Sequence, residues 1–180
     1  MKTFILWISF LFFTMNVAAQ TNYYTSDKTF YENGYTYQCD IVEGSKFVTL
    51  YNKSNKFTYV NQTNRNTGEI ISIEQNRALQ LMDDSWTRPK CNSIVNSAFS
   101  FAEKQRVKGF KVTVIMYINP DTGKVAEVKY RFASFNPYAT IPVSVFRKIE
   151  TELKNSIWFT PTGEGKKRNY IICGWRHEVK

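Results

Sequence analysis

The stretch FKVTVIMYINPDTGKVAEVKYRF, residues 110–132, decides how the rest of the chain is read. Phe110, Val112, Val114, Met116 and Ile118 alternate with other residues, the period of a strand that buries one face. Ile115 and Tyr117 make the opposite side partly apolar as well. Asn119-Pro120-Asp121-Thr122-Gly123 then forms a turn with a mechanism: Pro presets φ, Asp caps locally and Gly takes the left-handed position. The chain returns through Ala126, Val128, Tyr130 and Phe132, opposed by Glu127, Lys129 and Arg131. An antiparallel hairpin is expected.

Helical patterns flank that hairpin. Upstream, Ile94, Val95, Ala98, Phe99 and Ala102 make an apolar stripe over Ser93 to Val107, with Asn92 as the expected N-cap and Gly109 as terminator. Before it, Ala78, Leu79 and Met82 suit a short helix that Pro89 would close. Downstream, Pro142 suits a first turn, and Phe146, Ile149, Leu153 and Ile157 line one helical face. A loop from Pro161 to Gly165 leads to a last strand carrying Ile171, Cys173 and Trp175 on one side.

The N-terminal part reads differently. From Thr29 to Ile73 turn signals recur about every ten residues, led by Asn33-Gly34, which suits a type I′ hairpin. Tyr35, Tyr37, Cys39 and Ile41 alternate with polar residues, and Lys46 to Asn52, Lys56 to Gln62 and Glu69 to Ile73 are rich in strand formers. The expected fold class is therefore α+β. An antiparallel β-meander in residues 20–90 joins a helix-strand-strand-helix-strand unit in residues 91–180, with one shared core.

Residues 1–19 read as an export signal: Lys2 is basic, Thr3 to Val17 is apolar, and Val17-Ala18-Ala19 ends on small residues before Gln20. The run is shorter than the roughly 20 residues of a spanning helix, so cleavage before Gln20 and a periplasmic or secreted protein are expected, not an integral membrane one. At 180 residues the chain buries enough surface to fold without a metal or disulfide scaffold. Cys39, Cys91 and Cys173 permit one bridge with three pairings, or three buried thiols.

From about Val107 to Arg176 the chain resembles the C-terminal domain of the TonB family. The strand Val112 to Ile118, the 119–123 turn, the strand Lys124 to Phe132, the helix ending near Ile157-Trp158-Phe159-Thr160-Pro161 and a Gly-Lys loop carry the likeness. As a whole it is similar to a family of small secreted proteins of Bacteroides-type Gram-negative bacteria with no assigned function. Residues 141–150 and Thr162-Gly163-Glu164-Gly165-Lys166-Lys167 carry that similarity. The TonB resemblance implies helices on one face of a sheet and a protein partner added at the sheet edge. It does not imply energy coupling, since a retained anchor and a Pro-rich spacer are missing.

Catalytic constellations are not evident. His177, the single histidine, lies three residues from the end and is expected exposed or on an edge strand. Cys39, Cys91, Cys173 and His177 lack the paired spacing of a zinc knuckle. Gly163 to Lys167 is not a phosphate loop, since Thr160 stands where its first Gly should be and Lys167 where Ser or Thr should be; Asp83-Asp84 is a candidate carboxylate pair that no pattern recommends. Glu150 and Glu152 fall on different sides of their helix. No cofactor, metal or nucleic-acid partner is expected.

The basic excess, 24 Lys+Arg against 15 Asp+Glu, offers candidate contacts. Lys104, Arg106 and Lys108 complement a helix C-terminus. Lys166, Lys167 and Arg168 lie in a loop and, with Arg147 and Lys148, form the candidate partner-binding set for an envelope or surface protein or an anionic envelope polymer. Tyr23, Tyr24, Tyr31, Tyr35, Tyr37, Tyr51 and Tyr59 crowd the N-terminal hairpins, which suits cross-strand packing or sugar stacking. The expected function is a non-catalytic binding protein of the bacterial envelope that takes a protein partner at a sheet edge. The alternative is a glycan-binding or glycan-hydrolysing protein using the Tyr-rich hairpins.

Overall fold

The computed structural model describes residues 21–42, 44–71 and 80–180. The export segment, and with it the Ala78 and Leu79 part of the expected short helix, lies outside the described residues. Strands β1 (Lys28–Glu32), β2 (Tyr35–Ile41) and β3 (Phe47–Asn52) come first. Helices α1 (Thr87–Ala98) and α2 (Phe101–Val107), strands β4 (Val112–Ile118) and β5 (Val125–Ala133), helix α3 (Val143–Ser156) and strand β6 (Ile171–His177) follow. The six strands form one antiparallel sheet in the order β1-β2-β3-β5-β4-β6.

The 110–132 hairpin lies inside that sheet, with β5 at its centre. β5 pairs with β4 on one side, Val114 opposite Tyr130, and with β3 on the other, Leu50 opposite Tyr130. The meander and the C-terminal elements thus run on as one sheet over one apolar core. On the helix-covered face Phe146 of α3 stacks on Phe132 at 5.6 Å and meets Tyr130 at 4.9 Å. Tyr24, fully buried, packs against Phe30, Phe132 and Phe146 and donates its hydroxyl to the Ile141 carbonyl at 2.9 Å. Burying one such side chain contributes about 1.5–3 kcal/mol.

Two expectations are corrected by caps. The helix expected over Ser93 to Val107 is two helices, broken at Phe99. Ser100 accepts from the Glu103 amide while the Glu103 carboxylate takes the Ser100 amide at 2.7 Å, a capping box that restarts the chain in a new direction. α1 begins at Thr87, not Ser93, because Asp84 accepts from the amides of Trp86 and Thr87 at 3.1 and 2.8 Å. Asn92 is therefore inside α1. Pro89 sits in its first turn, where a missing N–H costs nothing, rather than closing a helix.

Lys56 to Gln62 forms turns, not the expected strand. Its backbone is claimed by β5 side chains instead of by a neighbouring strand. The buried Glu127 carboxylate accepts from the amides of Lys56 and Phe57 at 2.7 and 2.9 Å, and Lys129 Nζ donates to the Thr58 carbonyl at 2.8 Å. Residues 53–71 in this way cover the sheet face that α1 and α3 do not. In Glu69 to Ile73 the described part makes only a bridge from Ile70 to Thr63.

Gly123 has φ 70°, as its turn requires. A Cβ there would stand 1.9 Å from the Phe159 carbonyl oxygen, and the Phe159 amide donates to the Gly123 carbonyl at 2.9 Å. The turn is thus clamped to the chain leaving α3.

Candidate functional site

Between the start of α1 and the β4–β6 half of the sheet lies a half-open cleft of about 410 Å³. That volume lies within the range of about 300–1,000 Å³ of ligand pockets. Its floor is Met116, Cys91, Cys173 and Phe159, and Leu81, Met82, Asp83, Asp84, Arg88 and Trp175 surround them. Met116 and Cys173 are register partners across β4 and β6, which places both on the helix side of the sheet. Arg88 holds its guanidinium over the Trp175 ring, 4.8 Å from the centroid. Beside the mouth Trp86 and Trp158, both exposed, lie with ring centroids 4.6 Å apart.

The three cysteines are buried thiols. Cys39 in β2 and Cys173 in β6 are four strand spacings apart, about 19 Å, which excludes a bridge between them. Burial pushes the Cys91 thiol up to about 12, and the neighbouring Cys173 adds to the effect while Arg88 opposes it. His177 is on the edge strand β6 but buried, not exposed: its Nε2 lies 2.8 Å from Asn96 Oδ1 of α1. Burial, then the charges of Lys180 and Arg88, lower its pKa.

The candidate basic set does not assemble. Lys166 and Lys167 occupy a 3-10 turn, Gly165–Lys167, and Lys167 is paired with Glu164 at 2.6 Å. Arg168 is buried and its backbone bridges Asn64. Arg147 stacks on Tyr35 at 4.0 Å on the β1–β2 side of α3, whereas Lys148 donates to the Ser97 carbonyl of α1 on the opposite side at 3.2 Å. Four of the five, Lys167, Arg168, Arg147 and Lys148, thus have structural duties.

The hairpin tyrosines divide in the same manner. Tyr24 and Tyr37 are core residues. Tyr51 and Tyr59 donate to the same Asp40 oxygen at 2.8 and 2.6 Å, with their rings at 89°. Rings locked edge to face offer no flat platform for a sugar. Glu150, which the helical spacing separates from Glu152, lies on the buried side: it is 3% exposed, accepts from the Tyr37 hydroxyl and lies 3.6 Å from Lys154. Its position on the apolar stripe with Phe146, Ile149 and Leu153 was the available signal.

The two sheet edges differ. β1 is five residues long with Lys28 and Glu32 at its ends, the charges that blunt an edge against further pairing. β6 is seven residues, Ile-Ile-Cys-Gly-Trp-Arg-His, with one fixed charge, Arg176. Cys173 and Trp175 of this second edge strand also line the cleft.

Residues 20–175 match the model of a domain of unknown function, DUF5043. The chain belongs to the DUF5043 family. A crystal structure of a DUF5043 family protein from Bacteroides uniformis is similar over 89% of each chain, with 39% identity and a TM-score of 0.85. No curated protein matches. The likeness to small Bacteroides proteins of unassigned function holds, and the mixed α and β architecture is that of a DUF5043 protein. These matches carry no support for the TonB resemblance. Among the described residues no helix is long and apolar enough to cross a membrane.

Proposed function

We propose that this DUF5043 protein is an exported, non-catalytic binding module of the bacterial envelope that takes an extended segment of a protein partner at the outer side of β6. The observation that carries the reading is the contrast between the edges: β1 is short and charged at both ends, whereas β6 is longer, largely apolar and flanked by a cleft. An added strand would lie about 4.8 Å from β6 and place alternate side chains toward the cleft, which supplies specificity while main-chain bonds supply affinity.

A photo-crosslinking residue at Ile172, which is 38% exposed on β6, tests this against one at Tyr31, 84% exposed on β1. The expected result is a partner crosslinked from position 172, with slowed hydrogen exchange of β6 amides in the complex. Crosslinks from position 31 alone would overturn it. Lys166→Ala should leave the crosslink unchanged, because the basic turn is not part of the edge.

A further inference from the structure

The cleft floor has a chemistry that edge pairing does not use. We propose that Cys91 Sγ, Cys173 Sγ and Met116 Sδ form a binding site for a soft monovalent metal ion, copper(I) or silver(I). Direct partners across an antiparallel pair have Cβ atoms about 4.5–5.5 Å apart, so the register of Met116 with Cys173 brings a thioether beside a thiol. Cys91 reaches the same floor from α1, and Met82, 58% exposed, adds a second thioether at the mouth. Thiolate and thioether sulfur together select copper(I) over harder ions.

The surroundings fit such an ion better than zinc. Zinc asks for four nitrogen, sulfur or carboxylate ligands. His177 is engaged by Asn96, and Cys39 lies in β2 beneath the Ser26 carbonyl. Among the described residues no group of three His, Cys, Asp or Glu is placed to hold a metal. Two thiols and a thioether instead suit the low coordination number of a monovalent soft ion.

Charge balances as well. Binding displaces the two thiol protons: two S–H bonds break, two metal–sulfur bonds form, and two protons leave to solvent. Met116 adds a neutral donor. The product, one positive ion with two thiolates, carries a single negative charge, and the Arg88 guanidinium beside Cys91 is its counter-charge. Asp83 and Asp84 at the rim present negative charge to an approaching cation. No oxidant or reductant is needed, because the ion arrives and stays monovalent.

The test is anaerobic titration of the purified full chain with copper(I) in competition with a chromogenic copper(I) chelator. One ion per chain is expected, with two protons released and a raised unfolding midpoint. Cys91→Ser and Cys173→Ser should each abolish binding, Met116→Leu should weaken it, and Arg88→Met should weaken it about ten- to a hundredfold as the loss of an outer partner. Cys39→Ser should bind normally. Unchanged binding in the Cys91→Ser, Cys173→Ser double variant, or loss in Cys39→Ser, would overturn the site. If the serine variants do not fold, the wild type decides: no midpoint shift and no proton release with one equivalent of silver(I) overturns it too.

Discussion

One face of the sheet packs Val48, Leu50, Val114, Tyr130 and Phe132 under α1 and α3; the other packs Tyr117, Glu127 and Lys129 under the irregular chain 53–71. The first is held by apolar area, with rings such as Phe132 and Phe146 stacked. The second is held by side chains that bond a loop's backbone: Glu127 and Lys129 from β5, Tyr117 to the Thr58 carbonyl, and Tyr170 to the Val60 carbonyl at 2.6 Å. A helix satisfies its own backbone and asks only for an apolar stripe. A loop laid on a sheet does not, so every covered carbonyl and amide needs a partner.

The comparison can be broken at several strengths. Phe146→Ala removes the ring that joins α3 to β5 and should cost about 3–5 kcal/mol in urea unfolding, lowering hydrogen-exchange protection on both faces together. Glu127→Ala leaves two loop amides without their acceptor and should cost about 1–3 kcal/mol. Here exchange should rise at Lys56 and Phe57 while α3 amides keep their protection relative to global unfolding. Equal loss on both faces would show that the loop is not held separately. Ser100→Ala, which opens the capping box, should cost about 1 kcal/mol and fray α2 alone, seen by exchange at Glu103.

The faces should also separate by pH. On the loop face Lys129 is pushed down from 10.5 to about 8 by burial first and by Arg131 second. Between pH 8 and about 10 the unfolded chain keeps this proton and the folded chain does not, so stability rises with pH. The stability of wild type relative to Lys129→Met should therefore increase from pH 7 to pH 10. On the helix face the lowered pKa of His177 works at the other end: its contribution is present above about 6.5 and lost as pH falls through the folded value. Urea midpoints across that range, compared with His177→Asn, should show this smallest effect.

The same contrast explains what the sequence made legible. Alternation in 112–118 and 125–133 and the stripe Phe146, Ile149, Leu153 are period signals, and they predict β4, β5 and α3 closely. The loop cover has no period, so Lys56 to Gln62, rich in Phe, Tyr and Val, read as a strand. Glu127 read as the charged side of a hairpin because charge in sequence does not reveal which backbone will come to meet it. The break before Ser100 was readable, since Ser100 and Glu103 have capping-box spacing. The cleft was not: Cys91, Met116 and Cys173 come together only through the β4–β6 register and the earlier start of α1, and neither is encoded near those residues.

The clamp at Gly123 gives that hairpin turn a second duty. As a turn position alone it would accept Asn, which tolerates the left-handed region. The Phe159 carbonyl at 1.9 Å from a would-be Cβ removes that latitude, because any side chain must lever the chain leaving α3 away from the sheet. Phe159 is part of the cleft floor, so one added carbon at a hairpin tip would be transmitted to the cleft. A tolerance map of residues 119–123 should therefore be lopsided: permissive where only φ matters, and closed at the one position that also serves as a bearing.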